Sequence, residues 1–260
     1  MSTWLFDLGN SRLKCAPLCE GRVGEAAVAA AAVATAAVAT VFDIDHDGED
    51  FARGWAERLP SQIDTAFVAS VAPSSLTAAL LDGLTQRCVR ISLARTQRAC
   101  GGVRIAYAEP RRLGVDRFLA LLAAHARAPG PWLVVGVGTA LTIDLLDADG
   151  RHRGGRIAPS PTLMREALHS RASHLPSSGG TYAEFADDTA AGLTSGCEGA
   201  ALALIARSLD VATAQLGTAP RVLLHGGGAI ALLPRVAVAE FAPALVLEGL
   251  AQWVYTLAVD

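Results

Sequence analysis

The chain has 260 residues and a net charge of −3; 52% of its residues are apolar and 18% are charged. That is enough chain for a large core in one or two domains, and the charge balance leaves no basic face for nucleic acid. Cysteines at 15, 19, 88, 100 and 197 include no Cys-x-x-Cys pair, so neither a zinc knuckle nor a disulfide framework is indicated and a reducing, cytoplasmic setting fits.

Apolar Trp4-Leu5-Phe6 runs straight into Asp7-Leu8-Gly9-Asn10-Ser11-Arg12-Leu13-Lys14. The pattern predicts strand, glycine turn, strand, with an acid at the end of the first strand. Such a turn sets small residues and backbone N–H groups beside one carboxylate. It can cradle phosphate oxygens while Asp7 holds Mg²⁺, directly or through water. Lys14 is the only lysine of an arginine-biased chain, which suits a phosphate contact or a solvated strand end. The early Asp7 argues against a signal peptide. Residues 26–41 are alanine and valine with two threonines. At about 16 residues the run is shorter than the roughly 20 a bilayer span needs, and Asp43, Asp45 and Asp47 follow, so a strand-and-helix stretch is expected and no membrane partner. Asp43-x-Asp45-x-Asp47-Gly48 mimics the start of a calcium loop, but Gly54 stands where a bidentate Glu is required.

Further on, residues 64–71 read as a strand, and Ser74 or Ser75 as the cap of a helix to Gln86. Cys88–Ser92 is another strand, and an amphipathic helix is expected over Phe118–Ala128. Strands follow at 132–136 and 141–147, a turn at Asp149-Gly150, and a strand from Gly154. Helices are expected near 161–170, 189–216 and 247–258. Alternating strands and helices in both halves predict two α/β domains, 1–115 and 116–260, parting near residues 112–118.

Gly136-Val137-Gly138-Thr139-Ala140-Leu141-Thr142-Ile143-Asp144 repeats the first turn's shape, with Trp132–Val135 entering it. Two such hairpins suggest a duplicated fold with two phosphate-facing turns. A third glycine run, His225-Gly226-Gly227-Gly228, follows strand 221–224 and lets backbone approach a nucleotide. Gly136-x-Gly138 lacks the helix and third glycine of a dinucleotide fingerprint, and His225–Gly228 lacks the Gly-x-Ser-x-Gly partner of a hydrolase. Asp116, in Gly114-Val115-Asp116-Arg117, stands at the mouth of a helix whose dipole keeps an acid ionised and able to accept a proton; a plain helix cap is the simpler alternative. His152, His169 and His174 lack metal spacing and read as surface or cap residues.

In combination, Asp7-x-Gly9-Asn10-Ser11, Tyr107…Pro110…Leu113-Gly114-Val115-Asp116-Arg117, Gly138-Thr139-Ala140-x-Thr142-x-Asp144 and Gly154-Gly155-x-Ile157-x-Pro159 resemble type III pantothenate kinases. Thr189 and Gly226-Gly227 extend the likeness. The resemblance implies two related α/β domains of the acetate and sugar kinase/Hsp70/actin (ribonuclease H-like) type, usually as a homodimer. It implies ATP-dependent phosphorylation of pantothenate, the first step of coenzyme A synthesis, with Mg²⁺. By position, Asp7, Leu8, Gly9, Asn10, Ser11, Arg12, Leu13 and Lys14 would form the first phosphate loop, and Thr139 would touch ATP. Asp116 would be the base, and Tyr107, Gly114, Val115, Asp116, Arg117 and Thr189 would line the pantothenate site. Two positions depart from the family. Gly136 stands where an acid usually ligates K⁺ or NH₄⁺, and Ser160 stands for a glycine. The alternatives are a kinase or phosphohydrolase of the same fold with another acceptor, and a non-enzymatic transcription accessory factor.

Overall fold

A computed structural model describes residues 2–18, 38, 41–46, 48, 50–52 and 54–257. Except for Val38 and Val41, the expected strand-and-helix stretch over 26–41 lies outside the described residues, as does Asp47 of the acidic turn. The chain divides into two compact units, Met1–Pro129 with Asp149–His152 and Ala244–Asp260, and Gly130–Ala148 with Arg153–Pro243.

The first unit is built on five strands, β1 (Thr3–Leu8), β2 (Arg12–Pro17), β3 (Phe42–Asp45), β4 (Ile63–Ser70) and β5 (Cys88–Leu93), in the order β3-β2-β1-β4-β5. β2 runs antiparallel to β1 and to β3, while β4 and β5 run parallel to β1. Side-chain alternation divides this sheet cleanly. Trp4, Phe6 and Leu8 join Leu13, Cys15, Ile44, Ala66 and Val68 on one face, closed by Leu76, Leu80 and Leu84 of helix α1 (Ser74–Thr85). Leu5 and Asp7 therefore point to the opposite face. That face is covered by α2 (Val115–Arg127) and the C-terminal helix α6 (Leu245–Leu257), with Phe67 edge-on to Trp253. Two two-residue strands, β6 (Ala99–Cys100) and β7 (Val103–Arg104), form a small hairpin before α2.

α2 and α6 meet closely. A Cβ on Gly249 would overlap the Leu119 carbonyl, so only glycine lets the two backbones approach this far. Arg127 donates both ways to Glu248, at 2.6 and 2.8 Å, with side-chain exposures of 19% and 6%. Removing one partner of so buried a pair would strand a charge.

The second unit repeats the plan. β8 (Trp132–Val137), β9 (Ala140–Leu146), β10 (His152–Pro159), β11 (Arg221–His225) and β12 (Ala239–Phe241) lie in the order β10-β9-β8-β11-β12. β9 is antiparallel to β8, and β11 and β12 are parallel to it and to each other. The order matches the first sheet, as does the sense of the β8–β9, β8–β11 and β11–β12 pairings, which bears out the duplicated two-domain α/β expectation. α3 (Pro161–Arg171), α4 (Thr189–Leu216) and the short α5 (Ala229–Leu232) complete the unit. α4 is long and apolar enough to cross a membrane by length and composition alone. Its stripe of Ala191, Thr194, Cys197, Ala201, Ile205, Ser208 and Ala212 recurs every three or four residues and is buried, with Ala201, Ile205 and Ala212 in the core of Val135, Ile143 and Leu224. The rest of the helix is half-buried or exposed, so it lies with one face on the core.

Several elements differ from expectation. α2 begins at Val115 rather than Phe118 and is buried round most of its circumference, because α6 covers the side an amphipathic helix would expose. It packs in the first unit, so the compact units do not follow a 115/116 division. Neither Ser74 nor Ser75 caps α1; Pro73 precedes it, and Thr77 Oγ1 donates to the Pro73 carbonyl at 3.1 Å. β12, three residues long, carried no sequence signal.

Candidate active site

In the first unit the β1–β2 hairpin pairs Asp7 with Lys14 and Leu8 with Leu13. Gly9 N–H donates to the Arg12 carbonyl at 3.0 Å, which leaves Asn10 and Ser11 exposed at the tip. His46 Nε2 lies 3.1 Å from the Gly9 carbonyl oxygen and braces the turn. Val71 N–H donates to the Leu8 carbonyl at 3.1 Å, so the chain leaving β4 runs beside the end of β1. Asp7 thus sits at the carboxyl edge of two adjacent parallel strands, where open α/β sheets bind ligands.

Asp116 reaches that edge from α2. The loop before α2 is pinned by Thr96 Oγ1 donating to the Leu113 carbonyl at 2.8 Å and Arg98 Nη2 donating to the Ala108 carbonyl at 2.6 Å. Gly114 is the N-cap and makes no side-chain cap; Asp116 lies inside the first turn. It is therefore not the capping residue of α2. A Cβ on Gly114 would stand 2.5 Å from Asp116 Oδ1 and 3.8 Å from Val71, so the glycine leaves room for this carboxylate. Burial pushes the Asp7 carboxyl from its ordinary 3.8 up to about 7; the Asp116 carboxylate adds to the rise, and Lys14 opposes it.

Arg117, 7% exposed, turns the other way and donates from Nη1 to Tyr107 Oη at 3.3 Å. The Tyr107 ring stacks on His152 with centroids 6.0 Å apart, and His152 Nδ1 accepts from Ala106 N–H at 3.4 Å. His152 is 3% exposed, which corrects the expectation of a surface or cap histidine. Its signal lay in the fold, since the 149–152 segment packs with the first unit although its neighbours in sequence do not. His169 does act locally, with Nδ1 2.6 Å from the Leu175 carbonyl oxygen, and His174 is exposed.

In the second unit the β8–β9 hairpin closes with Gly138 N–H donating to the Ala140 carbonyl at 3.0 Å, and Thr139 is exposed at its tip. The third glycine run packs directly on this hairpin. Gly228 N–H donates to the Val137 carbonyl at 2.9 Å, and Gly226, at φ 90°, lies so close that a Cβ would overlap Val137 backbone. A Cβ on Gly136 would stand 2.7 Å from Thr142 Oγ1 and 2.9 Å from His225 Nε2. Asp144 is buried within β9, and Ser160 Oγ caps α3 by accepting from Leu163 N–H at 3.2 Å. Thr189 opens α4 exposed, behind Asp188, whose Oδ1 accepts from Ala190 and Ala191 N–H at 2.8 and 3.0 Å. Asp7–Lys14, Tyr107 and Gly114–Arg117 therefore share the first unit. Gly136, Thr139 and Thr189 belong to the second, with Thr189 on a separate element from the hairpin.

Among the described residues no three His, Cys, Asp or Glu side chains converge as a metal cage. Asp7 suits Mg²⁺ nonetheless, because that ion keeps several waters and can be held by one carboxylate plus substrate phosphates. Two neighbouring acids, one with its pKa raised, are also a place where a cation relieves repulsion.

The profile of type III pantothenate kinases matches residues 4–210. The chain belongs to that family. A type III pantothenate kinase of Stenotrophomonas maltophilia (strain K279a) is 57% identical over 253 residues, covering 97% of each chain. One from Xanthomonas campestris pv. campestris (strain B100) is 56% identical over the same coverage. Among solved structures, a Baf family transcriptional activator from Campylobacter jejuni superposes with a TM-score of 0.62 at 18% identity, covering 99% of this chain and 100% of that one. A 2-dehydro-3-deoxygalactonokinase-type protein from Sinorhizobium meliloti gives 0.51 at 16% identity, with 99% of each chain covered. These structures share the fold, that of the acetate and sugar kinase/Hsp70/actin type.

The raised Asp7 pKa fixes a pH dependence. The folded state holds this proton more tightly than the unfolded chain does. The stabilising contribution is whole below pH 3.8 and is lost as pH rises toward about 7. Urea unfolding without Mg²⁺ should show the stability of wild type falling relative to Asp7→Asn across that window and running parallel above it. A constant difference from pH 4 to 8 would show that Asp7 titrates as an ordinary surface acid.

Proposed function

We propose that the chain transfers the γ-phosphoryl group of ATP to the primary hydroxyl of pantothenate, with Asp116 as the base. The observation that carries this reading is Asp116 in the first turn of α2, close enough to Asp7 to raise its pKa, within the residues that match the family. Phosphoryl transfer needs little covalent help from protein. It needs in-line positioning, neutralisation of phosphate charge and a proton acceptor at the attacking hydroxyl. The new bond joins the pantothenate oxygen to phosphorus as the bond to ADP breaks, and the hydroxyl proton passes to Asp116.

The remaining roles follow from chemistry and position. Asp7 holds Mg²⁺, directly or through water, and Lys14 beside it meets phosphate oxygens. Bound there, Mg²⁺ neutralises charge on the phosphates. Leu8, Gly9, Asn10, Ser11, Arg12 and Leu13 supply the first turn's backbone and tip, and Thr139 supplies the second. Tyr107 and Gly114 to Arg117 line the acceptor side, where the buried Arg117 guanidinium suits a carboxylate such as pantothenate carries. Thr189, which the family resemblance assigns to the acceptor, is exposed at the start of α4 in the second unit. Cys15, Cys88 and Cys197 are free thiols, which suits a cytoplasmic enzyme.

The protein works as a homodimer through its second unit. Pro159, Leu163 and Leu168 of the α3 region and Leu193 and Cys197 of α4 line an apolar groove of about 760 Å³, and Leu202, Leu204, Leu209 and Val211 are only half-buried further along α4. A second copy is the occupant the family resemblance favours.

Asp116→Asn should lower turnover by roughly 10²–10⁴, the usual worth of a positioned base, with folding and ATP binding intact. ADP release in the presence of pantothenate, against no-acceptor and other-alcohol controls, measures it; near-normal turnover would reduce Asp116 to a helix residue. Light scattering should give a dimer at micromolar concentration and a monomer for Leu168→Asp. A monomeric wild type would remove the dimer reading. Position 136 brings no carboxylate, and its side-chain space is already taken by His225 and Thr142. The initial rate should therefore respond weakly to KCl at constant ionic strength, balanced with a bulky organic cation. Strong saturable activation at low K⁺ would contradict this.

A further inference from the structure

The two sheets can be laid over each other strand by strand, and the row next to the phosphate turns differs in an instructive way. In the first sheet Asp7 on β1 is flanked in register by Lys14 on β2 and Ala69 on β4. In the second sheet the corresponding row is Gly136 on β8, Thr142 on β9 and His225 on β11. Partners in register project to the same face of a sheet. The first row carries an acid on the central strand, a lysine on one side of it and a buried alanine on the other. The second row has no side chain on the central strand and an imidazole beside it.

The imidazole fills the gap. His225 Nε2 and Thr142 Oγ1 both lie within about 3 Å of the place a Cβ on Gly136 would occupy, at 2.9 and 2.7 Å. This polar bay stands at the carboxyl ends of the parallel strands β8 and β11, the edge at which open α/β sheets bind ligands. The Gly226–Gly228 run that follows His225 is bonded to Val137, the residue that enters the second turn. His225 is thus held both by its place in the row and by the loop that continues from it.

We infer that His225, with Thr142, occupies in the second sheet the place that Asp7 holds in the first, and that His225 is a positioning residue for the nucleotide's phosphates at the β8–β9 turn. An imidazole N–H can donate to a phosphate oxygen, whereas an ionised carboxylate has no proton to donate. Nucleotide contacts at this edge then need no side chain on residue 136. The inference rests on the kinase reading for the identity of the ligand, and the test keeps the two apart.

The measurement is calorimetric binding of Mg·ADP to the folded full-length protein, alongside steady-state KM values for ATP and pantothenate. His225→Ala should weaken Mg·ADP by about tenfold and raise the ATP KM similarly, with the pantothenate KM unchanged within about twofold. His225→Gln, which keeps a donor, should recover most of the loss. Gly136→Ala, which crowds both side chains, should shift Mg·ADP affinity the same way, and it decides the matter if His225→Ala does not fold. Unchanged Mg·ADP affinity in folded His225→Ala, or equal rises in both KM values, would overturn the role. If wild type binds Mg·ADP in a His225-dependent way yet transfers nothing to pantothenate, the acceptor reading fails and this inference stands.

Discussion

Two carboxylates held near each other repel, and burial strengthens the repulsion because less solvent screens it. The first unit brings Asp7 and Asp116 together in that way, and much of its local structure can be read as what makes the pairing tolerable. The alternation of β1 sends Asp7 to the face that α2 and α6 cover. Lys14, its register partner, offsets part of the charge. Gly114 withholds a side chain so that Asp116 can lie where it does. The buried Arg127–Glu248 pair and the close approach at Gly249 fix α2 against α6, and so fix the helix that carries Asp116. An arrangement with this electrostatic cost makes sense where a cation and a phosphate chain come and go.

The same sheet order used twice gives each unit a glycine hairpin between its first two strands. What differs is the furniture of the two edges. The first carries acids and a lysine. The second carries a glycine, a hydroxyl, an imidazole and a glycine loop packed on Val137. Duplication supplies two glycine turns, and divergence at single register positions gives them different chemistry.

Much of this was legible in the sequence because it is local. The Asp7–Lys14 turn, the Gly138-Thr139 hairpin, α4 over 189–216 and the 161–171 helix all follow from patterns within a few residues. Asp116 could be singled out by its place at a helix mouth, although its location inside the first turn, with Gly114 as cap, needed the structure. The parts that were not legible depend on contacts across long stretches of chain. His46 bracing Gly9, His152 stacked on Tyr107 and Arg127 paired with Glu248 join residues 37 or more positions apart. The burial of α2 on both sides depends on a helix that begins more than a hundred residues later. Gly136 read from sequence is a missing carboxylate; its occupied surroundings appear only once β9 and β11 lie beside β8.

The central claim is that Asp7 and Asp116 form one electrostatic unit. The direct measurement is a pH titration of the aspartate carboxyl carbons by NMR, in wild type and in Asp116→Asn, with and without Mg·ADP. Asp7 should titrate near pH 7 in the free wild type, fall when Asp116 is neutralised, and fall again when Mg·ADP binds. An Asp7 midpoint at its ordinary 3.8, unmoved by either change, would contradict the account.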